Sequence, residues 1–253
     1  MTGTLLAVRL PHRVARGDRQ MSLDAGLLAW ATEAPARVAL RTYGWSRPTL
    51  SLGRAEPFPD GWDAARLEAE GIDVARRPSG GDAVLHVEEL TFAVAASLPG
   101  PWELTPRSFA DAVAGAVAEA VSRGGVAASV VGGEAGASVR DHALVCFART
   151  SRGEVRSGAY KIAGLASCFG RGGALCHGSI PLGRGYRNVL RYRLRGDRER
   201  TLMERHARSL GELVPGPPPQ AARLADGLAD ALGARLGVAW ESAAFARLGL
   251  EEP

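Results

Sequence analysis

The spacing of apolar residues along this chain predicts several short strands with a few helices between them. The clearest helical pattern runs from Pro106 to Arg123, where apolar residues recur one turn apart behind Thr105, a favourable N-cap. Leucines four residues apart between Leu224 and Leu236 predict a second helix, which the proline-rich linker 215–219 precedes. Further helices are predicted over Met21–Glu33, with Ser22 as N-cap, and over Gly61–Glu70.

Apolar runs that lie between glycine and proline turns predict the strands. They fall at Leu5–Leu10, Val38–Trp45, Thr49–Leu52, Ile72–Arg76, Ala83–His86, Leu90–Leu98, Val126–Val131, Ala143–Phe147, Tyr160–Ala166 and Ala174–Ile180. The glycines of 170–173 join the last two, which indicates a hairpin. Because the strands come in runs, the expected fold is α+β, a mixed β-sheet with helices packed on one side. Residues 1–213 are expected to form its main part, with 214–253 as a C-terminal helical extension of the same domain.

The composition is that of a globular protein. The chain has 253 residues, of which 46% are hydrophobic and 23% charged, so it can bury a core, and a disordered protein is excluded. Three cysteines, and no basic start leading into an apolar run, argue against a secreted disulfide scaffold and a signal peptide. We therefore expect a reducing cytoplasm. No stretch reaches the roughly 18 to 20 apolar residues of a membrane span, so no membrane association is expected.

The charge pattern points weakly to acidic partners. The net charge is +4 and the pI about 9.3, and basic proteins favour acidic partners. The arginines are scattered without a recognisable nucleic-acid-binding motif, so nucleic acid is not expected as a partner. Almost all of the basic residues are arginine, and Lys161 is the only lysine. That lysine is either retained for a function that arginine cannot serve or left by chance.

The segment from Arg76 to His86 is the first candidate for chemistry. Arg76 and Arg77 precede Ser79, Gly80 and Gly81 in a turn between two predicted strands. Glycines let the backbone approach a ligand, and arginines can neutralise a phosphate or carboxylate. The same residues are also compatible with an ordinary turn.

The predicted hairpin supplies the second candidate, and Cys146 the third. If Lys161 points inward beside His177, an ammonium and an imidazole would face one cleft; alternatively Lys161 lies in water on an amphipathic strand. Cys146 is either a small buried hydrophobe or a nucleophile. Cys168 and Cys176 flank the turn and could lie across from each other. With His177 they match no standard ligand spacing, so no metal site is expected.

Taken in order, these segments resemble a known superfamily. Arg-Arg-Pro-Ser-Gly-Gly-Asp-Ala-Val-Leu-His at 76–86, Lys-Ile-Ala-Gly at 161–164 and His-Gly-Ser-Ile at 177–180 are similar to the blocks of lipoate-protein ligases and octanoyltransferases. The resemblance runs from about residue 5 to 235. It implies the biotin/lipoate protein ligase-like catalytic domain for residues 1–213.

Two activities occur within that superfamily. Ligases make an acyl-adenylate with ATP and Mg. Cysteine-dependent octanoyltransferases take an octanoyl or lipoyl group from acyl carrier protein, hold it on a cysteine, and pass it to a lysine of a lipoyl domain or the glycine-cleavage H protein. Cys146-Phe147, placed fifteen residues before Lys161, and Glu-Leu-Thr-Phe at 89–92 resemble the transferases. A cytoplasmic acyltransferase that needs no cofactor is therefore the first expectation, and an ATP-dependent ligase the alternative.

The resemblance also implies roles for individual residues. Cys146 would be the nucleophile, and Lys161 would lower its pKa and hold the thioester carbonyl oxygen. The substrate would be bound by Arg76, Arg77, Ser79, Gly80, Gly81, His86, Gly164, Ala166, His177, Gly178 and Ser179. Leu165 and Ser167-Cys168 replace the usual Ser-Ala-Gln of the family, so a non-catalytic relative that binds a lipoyl domain or an acyl ligand is a further alternative.

Overall fold

A computed structural model describes residues 5–101, 104–132, 146–148, 153–195 and 197–250. The helices are α1 (Gly17–Thr32), α2 (Ala64–Ala69), α3 (Pro106–Arg123), α4 (Asp197–His206) and α5 (Ala221–Leu236). The strands are β1 (Leu6–Arg9), β2 (Arg13–Ala15), β3 (Arg37–Trp45), β4 (Thr49–Leu52), β5 (Asp73–Arg76), β6 (Val84–His86), β7 (Glu89–Ser97), β8 (Ser129–Val130), β9 (Val155–Ser157), β10 (Tyr160–Gly170), β11 (Gly173–Pro181) and β12 (Glu241–Ser242). Short 3-10 helices lie at Cys146–Ala148, Gly185–Arg191, Leu210–Glu212 and Phe245–Leu248.

A large mixed sheet forms the centre of the fold. Within the described ranges its strand order is β12-β1-β3-β7-β11-β10-β9-β8, and β2 pairs with β3 outside that path. The pairs of β1 with β3 and β12 are parallel, whereas the pairs from β3 through β7, β11 and β10 to β9 are antiparallel. A second sheet, β5-β4-β6, has three strands. The α+β class with a mixed sheet is therefore confirmed.

Helices cover both faces of the large sheet. On one face, alternate residues such as Val38 and Val94 pack in one core with α3 and α5. On the other face, Ala39 and Ala95 pack with Leu27 of α1. Successive side chains of a strand point to opposite faces, so α3 and α5 share one face of the sheet and α1 covers the other. The expectation that all helices pack on one side is therefore wrong for α1.

Helix α3 begins and ends as its sequence predicts. The Thr105 side chain accepts a hydrogen bond from the backbone N–H of Ser108, and Ser108 caps the Thr105 backbone in return. The N-cap prediction for the first helix is wrong, because α1 begins at Gly17 and Ser22 lies inside it. Ser22 instead donates its hydroxyl to the carbonyl of Asp18 at 3.0 Å.

Helix α2 also begins later than predicted. Its first residue is Ala64, and the side chain of Asp63 accepts from Arg66 N at the start of the helix.

The predicted hairpin forms, and it separates two of the cysteines. Strands β10 and β11 pair so that Cys176 faces Ser167, and Cys168 faces Leu175. Cys176 lies in the core under α3 and α5, whereas Cys168 packs on the core of α1. The two thiols therefore lie on opposite faces of the sheet, and the idea that they lie across from each other is wrong.

Two strand predictions fail in part. The segment 126–131 is a strand only at Ser129–Val130. In the strand predicted over Ala143–Phe147, residues 143–145 lie outside the described residues, and Cys146 and Phe147 belong to a 3-10 helix. At the described end of this run, the Phe147 ring packs against Tyr186 with centroids 5.0 Å apart.

The small sheet packs beside the large one through a core of its own. Leu50 and Val84 contact the cluster that contains Phe147, Tyr186 and Met203 of α4. No helix in the described part of the chain has the length and apolar character that spanning a membrane requires.

Candidate active site

Cys146 and Lys161 lie in contact near the start of β10. The backbone N–H of Cys146 donates to the carbonyl of Ala83 at 3.1 Å, which places the 3-10 turn against the small sheet. Lys161 is completely buried. Its Nζ lies 3.3 Å from Cys146 Sγ and donates to the Cys146 carbonyl oxygen at 2.8 Å. The structure thus brings a thiol and an amine together from positions fifteen residues apart.

Glu154 is the third member of this group and was not among the residues predicted from the sequence. Its Oε1 accepts a hydrogen bond from Lys161 Nζ at 2.6 Å, and both side chains are buried. A buried ammonium is costly without a partner of opposite charge. The signal in the sequence was the single lysine on an apolar strand, since burying it requires a nearby carboxylate such as Glu154.

The electrostatics of this group differ from the expectation for Cys146. Burial raises the pKa of the Cys146 thiol, and the charge of Glu154 raises it further, against the lowering effect of Lys161 and Arg77. The prediction of a lowered Cys146 pKa is therefore wrong for the free protein. Burial alone would lower the pKa of Lys161, but the neighbouring Cys146 and Glu154 raise it above its ordinary value.

A cavity of about 150 Å³ opens beside Cys146. Its wall combines apolar and polar side chains, and most of the predicted substrate-binding residues belong to it. The lining is formed by Met21, Tyr43, Arg77, Gly81, Asp82, Val84, His86, Thr91, Cys146, Phe147, Glu154, Gly164, Leu165, Ala166, His177, Gly178 and Ser179. Lys161 is not part of the wall and lies behind Cys146 and Glu154.

Gly164 leaves the space in which Cys146 sits. A Cβ at this position would lie 3.1 Å from Cys146 Sγ and 3.8 Å from Lys161 Nζ. Such a distance to sulfur is shorter than a normal contact, so the thiol occupies room that only glycine provides here.

His177 is held between a carboxylate and a hydroxyl. Its Nδ1 lies 2.7 Å from Asp24 Oδ2, and its Nε2 lies 2.5 Å from Ser79 Oγ. Asp24 is fully buried and also accepts from Arg41 Nε at 2.8 Å and from Tyr43 at 2.9 Å. Burial would raise the pKa of Asp24, but Arg41 and His177 lower it below its ordinary value. The ring of His177 is thereby fixed at the cavity wall.

His86 is held in the same way on the other strand of the wall. Its Nδ1 lies 2.6 Å from Glu89 Oε1, its Nε2 lies 2.6 Å from Ser51 Oγ, and its ring stacks on Trp45 with centroids 4.1 Å apart. Glu89 accepts further hydrogen bonds from Thr91 and Ser179. Burial opposes ionisation of Glu89, but these partners lower its pKa below the ordinary value.

Asp24 and Glu89 were missed as site residues. Asp24 carried a signal, because a carboxylate on the apolar face of a helix is expensive unless a partner meets it.

The two arginines of the predicted loop point in different directions. Arg77 is buried at the wall. Its guanidinium donates hydrogen bonds to the carbonyl oxygen and to the hydroxyl oxygen of Ser51, each at 2.7 Å. Arg76 is exposed and donates to the carbonyls of Gly53 at 2.8 Å and Glu56 at 2.7 Å. Arg76 therefore holds a neighbouring loop, and its predicted place in the substrate site is corrected.

Two glycine loops touch beside that arginine. A Cβ at Gly53 would lie 2.0 Å from the carbonyl oxygen of Gly81, so the two backbones meet where no side chain fits. Ser79 and Gly80 do not line the cavity either. The hydroxyl of Ser79 contacts the ring of His177, which does line the cavity. The carbonyl of Gly80 accepts a hydrogen bond from Arg77 at 3.3 Å.

Lys161 and His177 belong to different groups of contacts. The former pairs with Glu154 and the latter with Asp24, so the expected ammonium and imidazole pair is replaced by two separate acid–base pairs. Within the ranges that the structure covers, no group of three or more His, Cys, Asp and Glu residues could hold a metal ion.

Comparison with known proteins identifies relatives over most of the chain. The lipoyl protein ligase A/B catalytic domain matches residues 17–218. Octanoyltransferase LipM of Kyrpidia tusciae is 36% identical over 230 residues, which is 85% of this chain and 83% of that protein. Octanoyltransferase LipM of an Exiguobacterium species is 34% identical over 190 residues, which is 72% of this chain and 67% of that protein.

Solved structures share the fold at low sequence identity. A lipoate-protein ligase A bound with ATP has a TM-score of 0.72 at 20% identity and covers 94% of this chain and 89% of that one. A bipartite lipoate protein ligase from Thermoplasma acidophilum has a TM-score of 0.71 at 17% identity, with 94% and 87% covered.

Proposed function

This chain belongs to the family of lipoyl protein ligase A/B catalytic domains, and we propose that it transfers an octanoyl group through a thioester on Cys146. The observation that carries the proposal is the 3.3 Å contact of Lys161 Nζ with Cys146 Sγ, where Cys146 lines a cavity of about 150 Å³. The two relatives that are 36% and 34% identical to this chain are named octanoyltransferases, which favours transfer over ATP-dependent ligation.

The first half-reaction loads the cysteine. Cys146 sulfur attacks the carbonyl carbon of the donor thioester, and the bond from that carbon to the donor sulfur breaks. The proton lost by the Cys146 thiol is taken up by the donor sulfur, which departs as a thiol. Because the thiolate is the attacking species, the raised pKa of Cys146 must be overcome as the donor binds. The Lys161 ammonium lies against the sulfur and stabilises the negative charge that forms there.

The second half-reaction transfers the group to an amine. The acceptor lysine attacks the thioester carbon, the bond from that carbon to Cys146 sulfur breaks, and the proton lost by the amine restores the thiol. We assign Lys161 to the sulfur rather than to the carbonyl oxygen, because Lys161 does not border the cavity. No nucleotide or metal enters either step, since the donor thioester is already activated.

The cavity suits a short acyl chain. A cavity of about 150 Å³ is known to hold a molecule of benzene, which is close in size to the inner part of an eight-carbon chain. Burial of each methylene contributes about 0.8 kcal/mol. Met21, Val84 and Leu165 supply apolar wall for that chain.

The partners follow from the same chemistry. We propose acyl carrier protein as donor and a lipoyl domain or the glycine-cleavage H protein as acceptor. The acidic character of such proteins would suit the net charge of +4. The three described thiols are all free, which fits a reducing cytoplasm as the proposed location.

Mass spectrometry after incubation with octanoyl-acyl carrier protein tests the proposal. We expect one acyl adduct on Cys146, loss of adduct and transfer in Cys146→Ala, and retention of both in Cys168→Ala, which serves as the matched control. Full transfer by Cys146→Ala, or pyrophosphate release that depends on free octanoate and ATP, would overturn it in favour of ligation.

A further inference from the structure

The proximity that supports catalysis also exposes the intermediate to a side reaction. Once Cys146 carries an acyl group, the thioester carbon is bonded to a sulfur that lies 3.3 Å from Lys161 Nζ. That carbon is one bond away from the sulfur, so rotation about the bonds of the acylated Cys146 side chain can bring it within the roughly 3 to 3.5 Å of Nζ at which reacting atoms are positioned for attack. A neutral Lys161 amine would therefore compete with the acceptor lysine for the acyl group.

The side reaction would be irreversible. The nitrogen of Lys161 would form a bond to the thioester carbon, the bond from that carbon to Cys146 sulfur would break, and a proton would move from nitrogen to sulfur. The product is an amide on Lys161 and a free thiol on Cys146. A productive transferase must keep Lys161 protonated while the thioester exists.

Glu154 is placed to do this. Its Oε1 lies 2.6 Å from Lys161 Nζ, and the side chains of Lys161 and Glu154 are 0% and 9% exposed. Acylation removes any negative charge from Cys146, whereas the carboxylate of Glu154 stays beside the ammonium. We propose that Glu154 is a positioning residue that holds Lys161 as an ammonium, so that the lysine cannot capture the acyl group from Cys146.

Among the residues that the structure describes, the other charged groups around the cysteine do not replace Glu154. The charge of Arg77 lowers the pKa of Cys146, and the charge of Asp82 raises it. His86 and His177 line the cavity, but His86 is hydrogen-bonded to Glu89 and His177 is hydrogen-bonded to Asp24. The carbonyl of Cys146, which accepts from Nζ at 2.8 Å, orients the ammonium without contributing a formal charge. This role of Glu154 rests on the proposed thioester.

The chain offers a direct readout of the side reaction. Trypsin separates Cys146 from Cys168 because it cleaves at Arg149, Arg156, Lys161 and Arg171. An amide on Lys161 blocks cleavage there and leaves one peptide from 157 to 171. It also resists hydroxylamine, which removes a thioester.

The experiment compares acyl enzymes of the wild type, Glu154→Gln, Glu154→Asp and, as a control, Glu119→Gln, at a partly exposed carboxylate of α3 that pairs with Arg123 and Arg235. We expect the hydroxylamine-resistant 157–171 adduct to increase at least tenfold in Glu154→Gln. It should stay near the wild-type level in Glu154→Asp, which keeps the charge, and in Glu119→Gln. Adding Lys161→Arg to Glu154→Gln should abolish the adduct.

A pH step on the wild-type acyl enzyme tests the same idea without a mutation. The Lys161 amide should form faster as the pH rises, because the ammonium loses its proton. If Glu154→Gln does not fold, this measurement alone decides the matter. A thioester in Glu154→Gln without the amide, or a wild-type rate that does not respond to pH, would overturn the role of Glu154 alone. Absence of any wild-type thioester would overturn the proposed function and this role with it.

Discussion

His177 and Asp24 are 153 positions apart in the chain, yet His177 Nδ1 lies 2.7 Å from Asp24 Oδ2 in the buried layer between α1 and β11. The same carboxylate pairs with Arg41 at 2.7 Å, and both of these side chains are 0% exposed. Asp24 thus ties the first helix to the strand that carries His177 into the cavity wall. Loss of its charge should affect stability and the site together.

Asp24→Asn should destabilise the fold by about 3 to 5 kcal/mol, because it leaves the buried Arg41 without a charged partner. Urea unfolding measures this change. Asp226→Asn is the matched control, since Asp226 is 66% exposed in its ion pair with Arg9 and should change stability by less than about 1 kcal/mol. An equal effect of both substitutions would contradict the role of Asp24 as a buried anchor.

Glu56 should make stability depend on pH in the neutral range. Burial raises the pKa of Glu56 from 4.5 to about 7. The charge of Asp82 adds to this rise, whereas the charges of Arg77 and Arg193 oppose it. Because the folded pKa lies above the unfolded value, the stability that Glu56 contributes is present below about pH 4.5 and is lost as the pH rises through about 7.

Glu56→Gln should remove that loss, since the amide oxygen can still accept from Gly53 N, which lies 3.3 Å from Glu56 Oε2. Urea unfolding between pH 5 and 8 should show wild-type stability falling relative to the variant. Glu68→Gln, at an exposed position, should track the wild type. Parallel curves for the wild type and Glu56→Gln would refute the prediction.

Gly164→Ala should lower acyl transfer with little loss of fold. The new Cβ would lie 3.1 Å from Cys146 Sγ and 3.7 Å from Lys161 Cε, so the thiol must shift by a few tenths of an ångström. Displacements of this order cost roughly tenfold in rate when the reacting atoms must be aligned. Acyl-adduct formation on Cys146 measures the effect.

Gly170→Ala provides the comparison on the same strand, because no atom lies within 4 Å of its added Cβ. It should leave the rate of adduct formation unchanged. A similar loss in both variants would mean that strand flexibility, rather than space beside the sulfur, controls the reaction.

Ala166→Leu should shorten the preferred acyl chain. Ala166 lines the cavity, and three further carbon atoms would occupy room needed by the end of an octanoyl group. Each methylene that loses its place costs about 0.8 kcal/mol, so octanoyl should fall roughly tenfold relative to hexanoyl. Transfer rates with donors of four, six and eight carbons check this. An unchanged order of preference would place the acyl chain elsewhere.

Local signals predicted the parts of the fold that depend on neighbouring residues. Thr105, Pro106 and the apolar spacing of α3 define its start and its buried face within one segment. The glycines between β10 and β11 define the hairpin in the same way. These elements could be predicted because their stabilising contacts lie within a few positions of one another.

The site depends on contacts that sequence neighbours do not reveal. Arg76 and Arg77 are adjacent and chemically identical. Because successive side chains at the end of a strand point in opposite directions, Arg76 faces solvent and Arg77 faces the cavity wall. The Cys146 turn is set by its hydrogen bond to Ala83 and by packing of Phe147, both distant in the chain. Burial of the thiol outweighs the lowering effect of Lys161 on its pKa, and only the folded arrangement shows this.

The burial of the chain's single lysine affects how complexes of this protein can be mapped. Lys161 is 0% exposed and has no counterpart elsewhere in the sequence. Amine-directed cross-linkers can therefore attach to this protein only at its amino terminus, and any other cross-linked amine in a mixture belongs to the partner. For the same reason, an acyl-lysine signal on this chain itself can come only from Lys161, and every other acyl-lysine in a reaction mixture belongs to the acceptor.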